Sequence, residues 1–310
     1  MLDVKRLRIL REVSTRGSFS AGAEALYLSQ SAVSQQVATL EREVGMPLLE
    51  RTSDGPKLTV AGESLVAHAD AVICRLEEAE RELAAIAGLE GGSVRLGSFP
   101  SASATLATRA VSLFREEHPG VELKLTDAEP EDSVPALRRG DLDIALTFDY
   151  PEVPLDAGRD VEQTLLLTES MHVALPESHR LATGKPVRLA DLAEEAWLAG
   201  NCPSSCSDLV KHAAREAGFE PQIGFESNDY AVLQGLIAGG LGVTLLPDLA
   251  LPGLRPGVVI APVMPKPPQR RVFAATRAAG ARSPATVAML EVLENVGAEY
   301  AAEAERAVAA

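Results

Sequence analysis

No run of 18 apolar residues occurs in the 310-residue chain, so no membrane-spanning helix is expected. From Leu2 onward charged and apolar residues alternate with helical spacing, unlike a signal peptide, so the expected compartment is the cytoplasm. Cysteine is scarce. Three residues, an odd number, do not make a disulfide framework. The five histidines, His68, His118, His172, His179 and His212, show no metal-ligand spacing, so structural or surface roles are expected and no metal or cofactor is. There is no nucleophile elbow, no P-loop, no dinucleotide-type glycine turn after a strand, and no histidine beside a plausible nucleophile, which argues against an enzyme. Cations are also in deficit: 29 Lys and Arg against 44 Asp and Glu, a net charge of -15.

That deficit is uneven. Residues 1–60 carry 8 Lys and Arg against 7 Asp and Glu, leaving 21 against 37 for the rest. A near-neutral head is followed by a strongly acidic body, so non-specific attraction to any polyanion should be weak. The length suggests two or three domains, and the 46% hydrophobic content permits real cores.

The stretch that organises the head is Ser29 to Val44. Ala32, Val33, Val37, Leu40 and Val44 recur at three- and four-residue steps and form one apolar stripe. Ser29 is an N-cap residue, and Gly45 followed by Pro47 stops the helix. Ser31, Ser34, Gln35 and Thr39 lie largely off the stripe. Short, uncharged polar side chains near a helix start can exchange hydrogen bonds with base edges; the same face also reads as a merely solvated one. Before it come an amphipathic helix (Leu2, Leu7, Ile9, Leu10, Val13, closed near Gly17) and a short helix from Ala21 to Tyr27, capped by Ser18 or Ser20. Two helices joined at Leu28-Ser29 are the sequence form of a helix-turn-helix. After it, Leu48-Leu49, the turn Ser53-Asp54-Gly55-Pro56 and Lys57-Leu58-Thr59 suggest a wing, with Arg51 and Lys57 placed to meet phosphates.

The segment FSAGAEALYLSQSAVSQQVATLEREVGMPLLERTSDGPKLTVAG resembles the N-terminal pattern of LysR-type transcriptional regulators almost position by position. The resemblance implies a winged helix-turn-helix whose third helix enters the major groove. It places Ser29, Gln30, Ser31, Ser34 and Gln35 near bases of promoter DNA and makes Arg51 a backbone contact of the wing. Many members carry Arg where Gln35 stands, a difference worth about 1–3 kcal/mol in base preference, and basic residues where Ser53-Asp54 stand. The fold and groove carry over; a target sequence does not.

From Thr59 to Ala87 no Gly follows Gly62 and no Pro occurs. Leu58, Leu65, Val72, Ala79 and Ile86 are spaced by sevens, with Ala69, Leu76 and Leu83 between them. So narrow a seam calls for a partner helix and predicts a homodimer presenting two heads to two half-sites; packing on its own domain is the alternative. The family resemblance adds a dimer of dimers, hence a homotetramer. Cys74 lies off the seam.

Beyond Gly91-Gly92, strand and helix signals alternate, the mark of an α/β architecture. Strands are expected at Val94–Gly97, Val121–Thr126, Asp143–Phe148, Leu165–Leu167, Met171–Leu175, Ile223–Glu226, Val243–Leu246, Val258–Ala261 and Val272–Thr276. Helices are expected at Ser101–Glu117, Val134–Arg139, Leu189–Glu195, Ser207–Ala217, Asp229–Ala238 and Ser283–Tyr300. Two irregular crossings, Tyr150 to Val161 and Val263 to Gln269, suggest two lobes with a cleft between them. GSVRLGSF, EEHPGVEL, LRRGDLDIAL and GLIAGGLGVTLLP resemble the effector domain of the same family, which is similar to a periplasmic binding protein. The fold class is thus α+β multidomain: a winged helix-turn-helix over residues 1–58, a dimerising helix and hinge over 59–90, effector lobe I over 91–160 and 268–300, lobe II over 161–267, and a tail over 301–310.

In open α/β sheets ligands sit beyond the carboxyl ends of strands. Ser98, Phe99, Pro100 and Ser101 open a helix there and favour an anionic group. Thr147 and Phe148 end a second strand, Asn201, Cys202 and Ser204 lie in a polar loop, and Ser227 and Asn228 end a third. Helix capping alone also accounts for Ser101, Ser207 and Asn228. Together these segments read as a cleft for a small effector. No Arg or Lys lies in them, which points to a small carboxylic acid or neutral metabolite. Cys202 and Cys206 offer a second reading, a redox switch, since a thiol near a helix N-terminus has a lowered pKa; the family includes peroxide sensors with a wider-spaced pair in this lobe. The resulting expectation is a transcription regulator with promoter DNA, a small-molecule effector, other copies of itself and RNA polymerase as partners, and no membrane.

Overall fold

The computed structural model describes residues 2–52, 55–86, 92–201, 204–278 and 282–309. They divide into two compact units, one of residues up to Leu89 with Arg138–Gly140, the other of the remainder from Glu90 onward.

The first unit starts with α1 (Val4–Arg16), α2 (Phe19–Ala25) and α3 (Gln30–Val44), continues through a wing of β1 (Leu49–Thr52) and β2 (Gly55–Leu58), and ends in α4 (Val60–Ile86). Helix starts are set by side-chain caps: Asp3 accepts from the Lys5 amide, Ser18 from Ala21 and Ser29 from Ala32. Because Ser18 is the cap rather than Ser20, α2 begins two residues before the expected Ala21. Gly17 and Gly45 close α1 and α3 in the left-handed conformation, at φ 66° and 79°. Apolar side chains of α1 feed two clusters. Ile9 and Val13 meet Ala23, Val33 and Val37, while Leu7 and Leu10 meet Leu40, Leu48, Ala69 and Ile73. At Gly62 a Cβ would stand 2.1 Å from the Leu48 carbonyl oxygen, so α4 can lie against the wing only with glycine there.

The heptad seam of α4 divides in two. Leu58, which lies on β2, and Leu65 pack with Ala61, Val66, Ala69 and Ile73 onto the head's own core, not onto a partner. Val72, Leu76 and Leu83 are 43%, 45% and 66% exposed, and Ala79 is exposed as well. The row packs on the core as far as Ala69 and is exposed from Val72 onward. Ile73, off the expected seam, takes the buried place. The side chains of Cys74 and Ile86 lie outside the description.

In the second unit β3 (Ser93–Ser98) leads into a helix that runs as α5 (Pro100–Ala102), a π turn (Ser103–Ala107) and α6 (Thr108–Glu117). Then follow β4 (Glu122–Asp127), α7 (Pro130–Arg139), β5 (Ile144–Asp149), β6 (Val161–Pro176), β7 (Val187–Arg188), β8 (Ala196–Ala199), α8 (Ser205–Glu216), β9 (Gln222–Glu226), α9 (Tyr230–Ala238), β10 (Thr244–Pro247), β11 (Val258–Met264), β12 (Gln269–Arg277) and α10 (Pro284–Ala309). Among the described residues the main sheet runs β4-β3-β5-β12-β6-β11-β7, with β10 also on β6, and β8 pairs separately with β9. In β5 every residue is buried, as a strand covered on both faces should be. Ile144, Leu146 and Phe148 face α6 and α10; Ala145 faces α7.

The expected strands at Leu165–Leu167 and Met171–Leu175 are one strand, β6. Its residues up to Ser170 pair with β12, and those from Met171 pair with β10 and β11. Lobe II therefore does not start at residue 161: Val161 packs with Ala145 and Ala275 of lobe I, and the crossing falls near Glu169. The polar residues that seemed to break the strand are paired within it. β8 was not expected; Trp197, on this strand, is buried and donates to the Leu192 carbonyl. The segment expected as a helix from Leu189 contains only a 3-10 turn, Leu189–Leu192. α10 continues to Ala309, so residues from 301 extend a helix rather than form a tail.

Candidate functional site

On α3 the apolar stripe turns Val33, Val37 and Leu40 inward. Gln30, Ser31 and Gln35 are exposed and Ser34 is half-buried, so one uncharged polar face is presented. Ser29 is exposed too, but its hydroxyl accepts from the Ala32 amide at 3.2 Å and lies 3.1 Å from that of Ser31. Thr39 is spent within the helix, donating to the Gln35 carbonyl and accepting from Arg42. The turn before α3 places Tyr27 at φ 54° and binds the Leu28 amide to the Ala23 carbonyl. Arg6 holds α1 to α3 through Gln36 and Glu43, and Glu41 accepts both the Leu48 and Leu49 amides, fixing where the wing departs. Arg51 pairs with Pro56 in the wing ladder, and exposed Lys57 with Glu50. The Arg51 side chain and the wing tip, Ser53-Asp54, lie outside the described residues.

The second site is the space between the lobes, built around Arg270, a residue the sequence reading missed. Arg270 is fully buried and stands opposite Glu169 in the β12–β6 ladder, within hydrogen-bonding distance at 2.7 Å. It also donates to the Ser101 hydroxyl at 3.0 Å, and its guanidinium lies 5.0 Å from the Phe99 ring centroid and 5.1 Å from that of Phe148. Burial works against its charge, but Glu169 foremost, with Tyr230, Tyr150 and Cys206 facing it, holds its pKa above the ordinary value. Glu169 also accepts the Leu249 amide, and Asp248 accepts the Ser170 amide and pairs with His172 at 2.6 Å. The crossing between the lobes is thus fastened by a buried ionic network.

Above this floor is a cavity of about 20 Å³, lined among others by Tyr150, Cys206, Ser227, Asn228, Tyr230 and Thr244. That is room for a single water. Of the expected effector residues, Ser227 and Asn228 line it. Ser98, Phe99, Ser101 and Phe148 are buried beneath, where Ser101 and the two rings hold Arg270. Thr147 is diverted, accepting from Gln163, and Ser204 caps α8 through the Ser207 amide. Pro100 opens α5, and the exposed Asn201 donates its amide to Asn228 Oδ1 at 2.8 Å. At Gly200 a Cβ would stand 2.8 Å from Ser204 Oγ and 2.9 Å from Cys206 Cβ, so the loop closes this tightly only around glycine.

The cation beside the expected effector residues, Arg270, comes from a distant strand and is paired with Glu169. The signal was present: Arg270, Val272 and Ala274 alternate on the buried face of β12. Cys206 also departs from expectation. Burial pushes its thiol up despite its place at the start of α8, and its nearest polar partner is the Tyr150 hydroxyl at 3.4 Å. A protonated thiol is a poor nucleophile, and Cys202 lies outside the described residues. Among the described residues no group of His, Cys, Asp and Glu is placed to hold a metal ion, and no helix is long and apolar enough to cross a membrane.

Residues 4–63 match the family described as bacterial regulatory helix-turn-helix protein, lysR family, and residues 87–298 match the LysR substrate binding domain. The chain is 32% identical over 301 residues to "Probable HTH-type transcriptional regulator LrrA" of Synechococcus elongatus, covering 97% of this chain and 99% of the relative. It is 29% identical to "Transcriptional dual regulator GltC" of Bacillus subtilis, over 80% of this chain and 81% of that one. Among solved structures, full-length OxyR from Pseudomonas aeruginosa shares the fold with a TM-score of 0.70 at 23% identity, covering 96% of this chain and 95% of that chain. CbnR, a LysR family transcriptional regulator, gives 0.63 at 21%, covering 96% and 99%. The two family matches together span most of the molecule, and the chain belongs to the LysR family: it is a DNA-binding transcription regulator with an effector-binding domain, not an enzyme.

Proposed function

We propose that α3 reads promoter DNA through Gln30, Ser31, Ser34 and Gln35, with Arg51 and Lys57 of the wing on phosphates, and that a small effector binding between the lobes of the body adjusts that reading. The observation that carries this is the exposed, uncharged polar face of α3, held rigid by capped helices and by the Arg6 and Glu41 contacts. Ser29 serves as the cap that positions this face. CbnR has been solved in complex with its target DNA and matches this fold with a TM-score of 0.63. Two copies joined through Val72, Leu76, Ala79 and Leu83 would present two such helices, and pairing of dimers gives a tetramer; RNA polymerase is the partner that turns occupancy into transcription.

The effector is a small carboxylic acid or a neutral metabolite. The reason differs from the one the sequence supplied. Arg270 is already paired with Glu169, and Asp127, Glu129, Glu131 and Asp132 gather around the start of α7, a concentration of negative charge that disfavours a dianion. Ser227, Asn228, Tyr230 and Thr244 supply neutral polar contacts once the cleft opens.

Footprinting on the chain's own upstream DNA tests the first half. Ser34→Ala with Gln35→Ala should lower specific affinity at least about 30-fold, from about 1–3 kcal/mol for each of the two lost base contacts, and leave non-specific binding unchanged. Equal loss on both kinds of DNA would refute the base-reading role. For the second half, a thermal-shift screen of small monocarboxylates and neutral metabolites on the full chain should yield a stabilising compound, worth about 2.7 kcal/mol at a hundredfold excess over Kd.

A further inference from the structure

Helix α3 holds a single cation. Arg42 is the one Lys or Arg in its sequence, and its side chain is exposed. The two carboxylates beside it in the chain are engaged elsewhere: Glu41 accepts the Leu48 and Leu49 amides, and Glu43 pairs with Arg6. The positions a turn away, Ala38, Thr39, Gly45 and Met46, bring no acid. Among the described residues Arg42 therefore keeps its charge without a carboxylate partner. By contrast Arg6, Arg11 and Arg16 of α1 each meet a glutamate.

The guanidinium of Arg42 is nonetheless held. Its Nε donates to the Ala38 carbonyl at 3.3 Å and its Nη2 to the Thr39 hydroxyl at 2.8 Å, and that hydroxyl donates in turn to the Gln35 carbonyl. An arginine placed in a last helical turn only to complement the dipole would reach the free carbonyls there; this one is folded back toward the reading residues. Both protons of Nη1 and the second of Nη2 remain available. Ser31, Gln35, Ala38 and Arg42 fall within about 60° of one another around the helix. All four are exposed, opposite the buried Val33, Val37 and Leu40. The Cα of Arg42 lies about 16 Å from that of Ser31 along the axis, and folding back by a turn leaves the guanidinium about 11 Å away. The major groove is about 12 Å wide, so half that span separates its middle from its phosphate walls. A helix whose start rests among base edges carries this cation to a phosphate.

We propose that Arg42 is a further DNA contact, a phosphate clamp at the far end of α3, anchored in advance by Thr39. The clamp rests on reading α3 as the DNA-facing helix. In a head with 8 Lys and Arg against 7 Asp and Glu, one unneutralised guanidinium supplies a large share of the attraction for a duplex. A phosphate carries no sequence information, so the contact fixes the register in which Ser34 and Gln35 meet their bases. The bond to Thr39 lowers the side-chain entropy lost on binding.

Salt titration of binding by the full chain tests the clamp, on its own upstream fragment and on an unrelated duplex of equal length. Each phosphate contact adds about 0.9 to the slope of log affinity against log salt. Arg42→Gln should flatten the slope by about 0.9 for each copy bound, and weaken both duplexes severalfold by the same factor. Arg42→Lys should restore the slope. Should Arg42→Gln disturb the head, Arg42→Ala, which favours the helix, reads the same slope. Thr39→Val, which keeps the charge and removes the anchor, should weaken binding with the slope intact; equal affinity there would overturn the anchor. An unchanged slope on removing Arg42 would overturn the clamp, and so would a loss confined to the upstream fragment, the mark of a base contact. Ser34→Ala with Gln35→Ala keeps the two readings apart. If that variant held its specific affinity, α3 would not be the helix that reads DNA; if it lost it while Arg42→Gln kept the parent slope, the clamp alone would fall.

Discussion

The head and the body of this protein solve recognition in opposite ways. In the head, the residues proposed to read DNA come from one turn and one helix, and the contacts that hold them stay close in the chain: Ser29 to Ala32 and Glu41 to Leu48 span a few residues, and Arg6 to Gln36 spans 30. In the body, the cleft is held by partners far apart in the chain, Glu169 with Arg270 across 101 residues and Ser101 with Arg270 across 169. The head relies on uncharged groups at the surface, the body on a buried charge pair. The difference teaches where each site is vulnerable: the first to loss of local helix geometry, the second to loss of any one distant partner.

The largest effect should come from breaking the body's pair. Arg270→Ala leaves Glu169 as an uncompensated buried charge, which costs about 3–5 kcal/mol. Calorimetry should show the body's transition falling steeply, while the double variant Arg270→Met with Glu169→Leu recovers much of the loss. A larger loss in the double variant would mean that the ionic network, and not mere charge balance, holds the crossing. A smaller contrast is expected within α4. Ile73→Ala removes a fully buried side chain from the head's core and should cost about 2–5 kcal/mol. Leu83→Ala, at a position 66% exposed, should leave the head's melting temperature unchanged and instead raise the dimer dissociation constant in sedimentation equilibrium. If Leu83→Ala destabilised the head as much as Ile73→Ala, the division of α4 into a core half and an outward half would fall. The Ser34 and Gln35 substitutions should have the smallest effect on folding, because they touch only the reading face.

These two regions also differ in how far they were legible in the sequence. Helix starts in the head follow from single capping residues and the stripe Val33–Val37–Leu40 from its spacing, so α1 to α3 are readable within about two residues. The seven-residue row in α4 was misread because spacing alone does not say where a helix leaves one core for another surface. In the body, Glu169 read as a strand break because a lone carboxylate in an apolar run has no visible partner until Arg270 is brought opposite it. β8 was lost because AWLA is short and its partner strand lies some 26 residues later. Polar side chains such as those of Ser204 and Asn228 were read as ligand contacts, and both accept hydrogen bonds from backbone amides, those of Ser207 and Asn201. Cap and ligand chemistry use the same side chains, and only geometry separates them.

β6 runs through the Glu169–Arg270 crossing as one strand, whereas β12 begins at Gln269, one residue before Arg270, after a connection from the end of β11 at Met264. A joint made of loops alone swings freely; one carried on one side by a continuous strand bends like a leaf spring. Any widening of the gap must bend β6, so the strain is passed into its ladder with β12 instead of being absorbed at a slack tether.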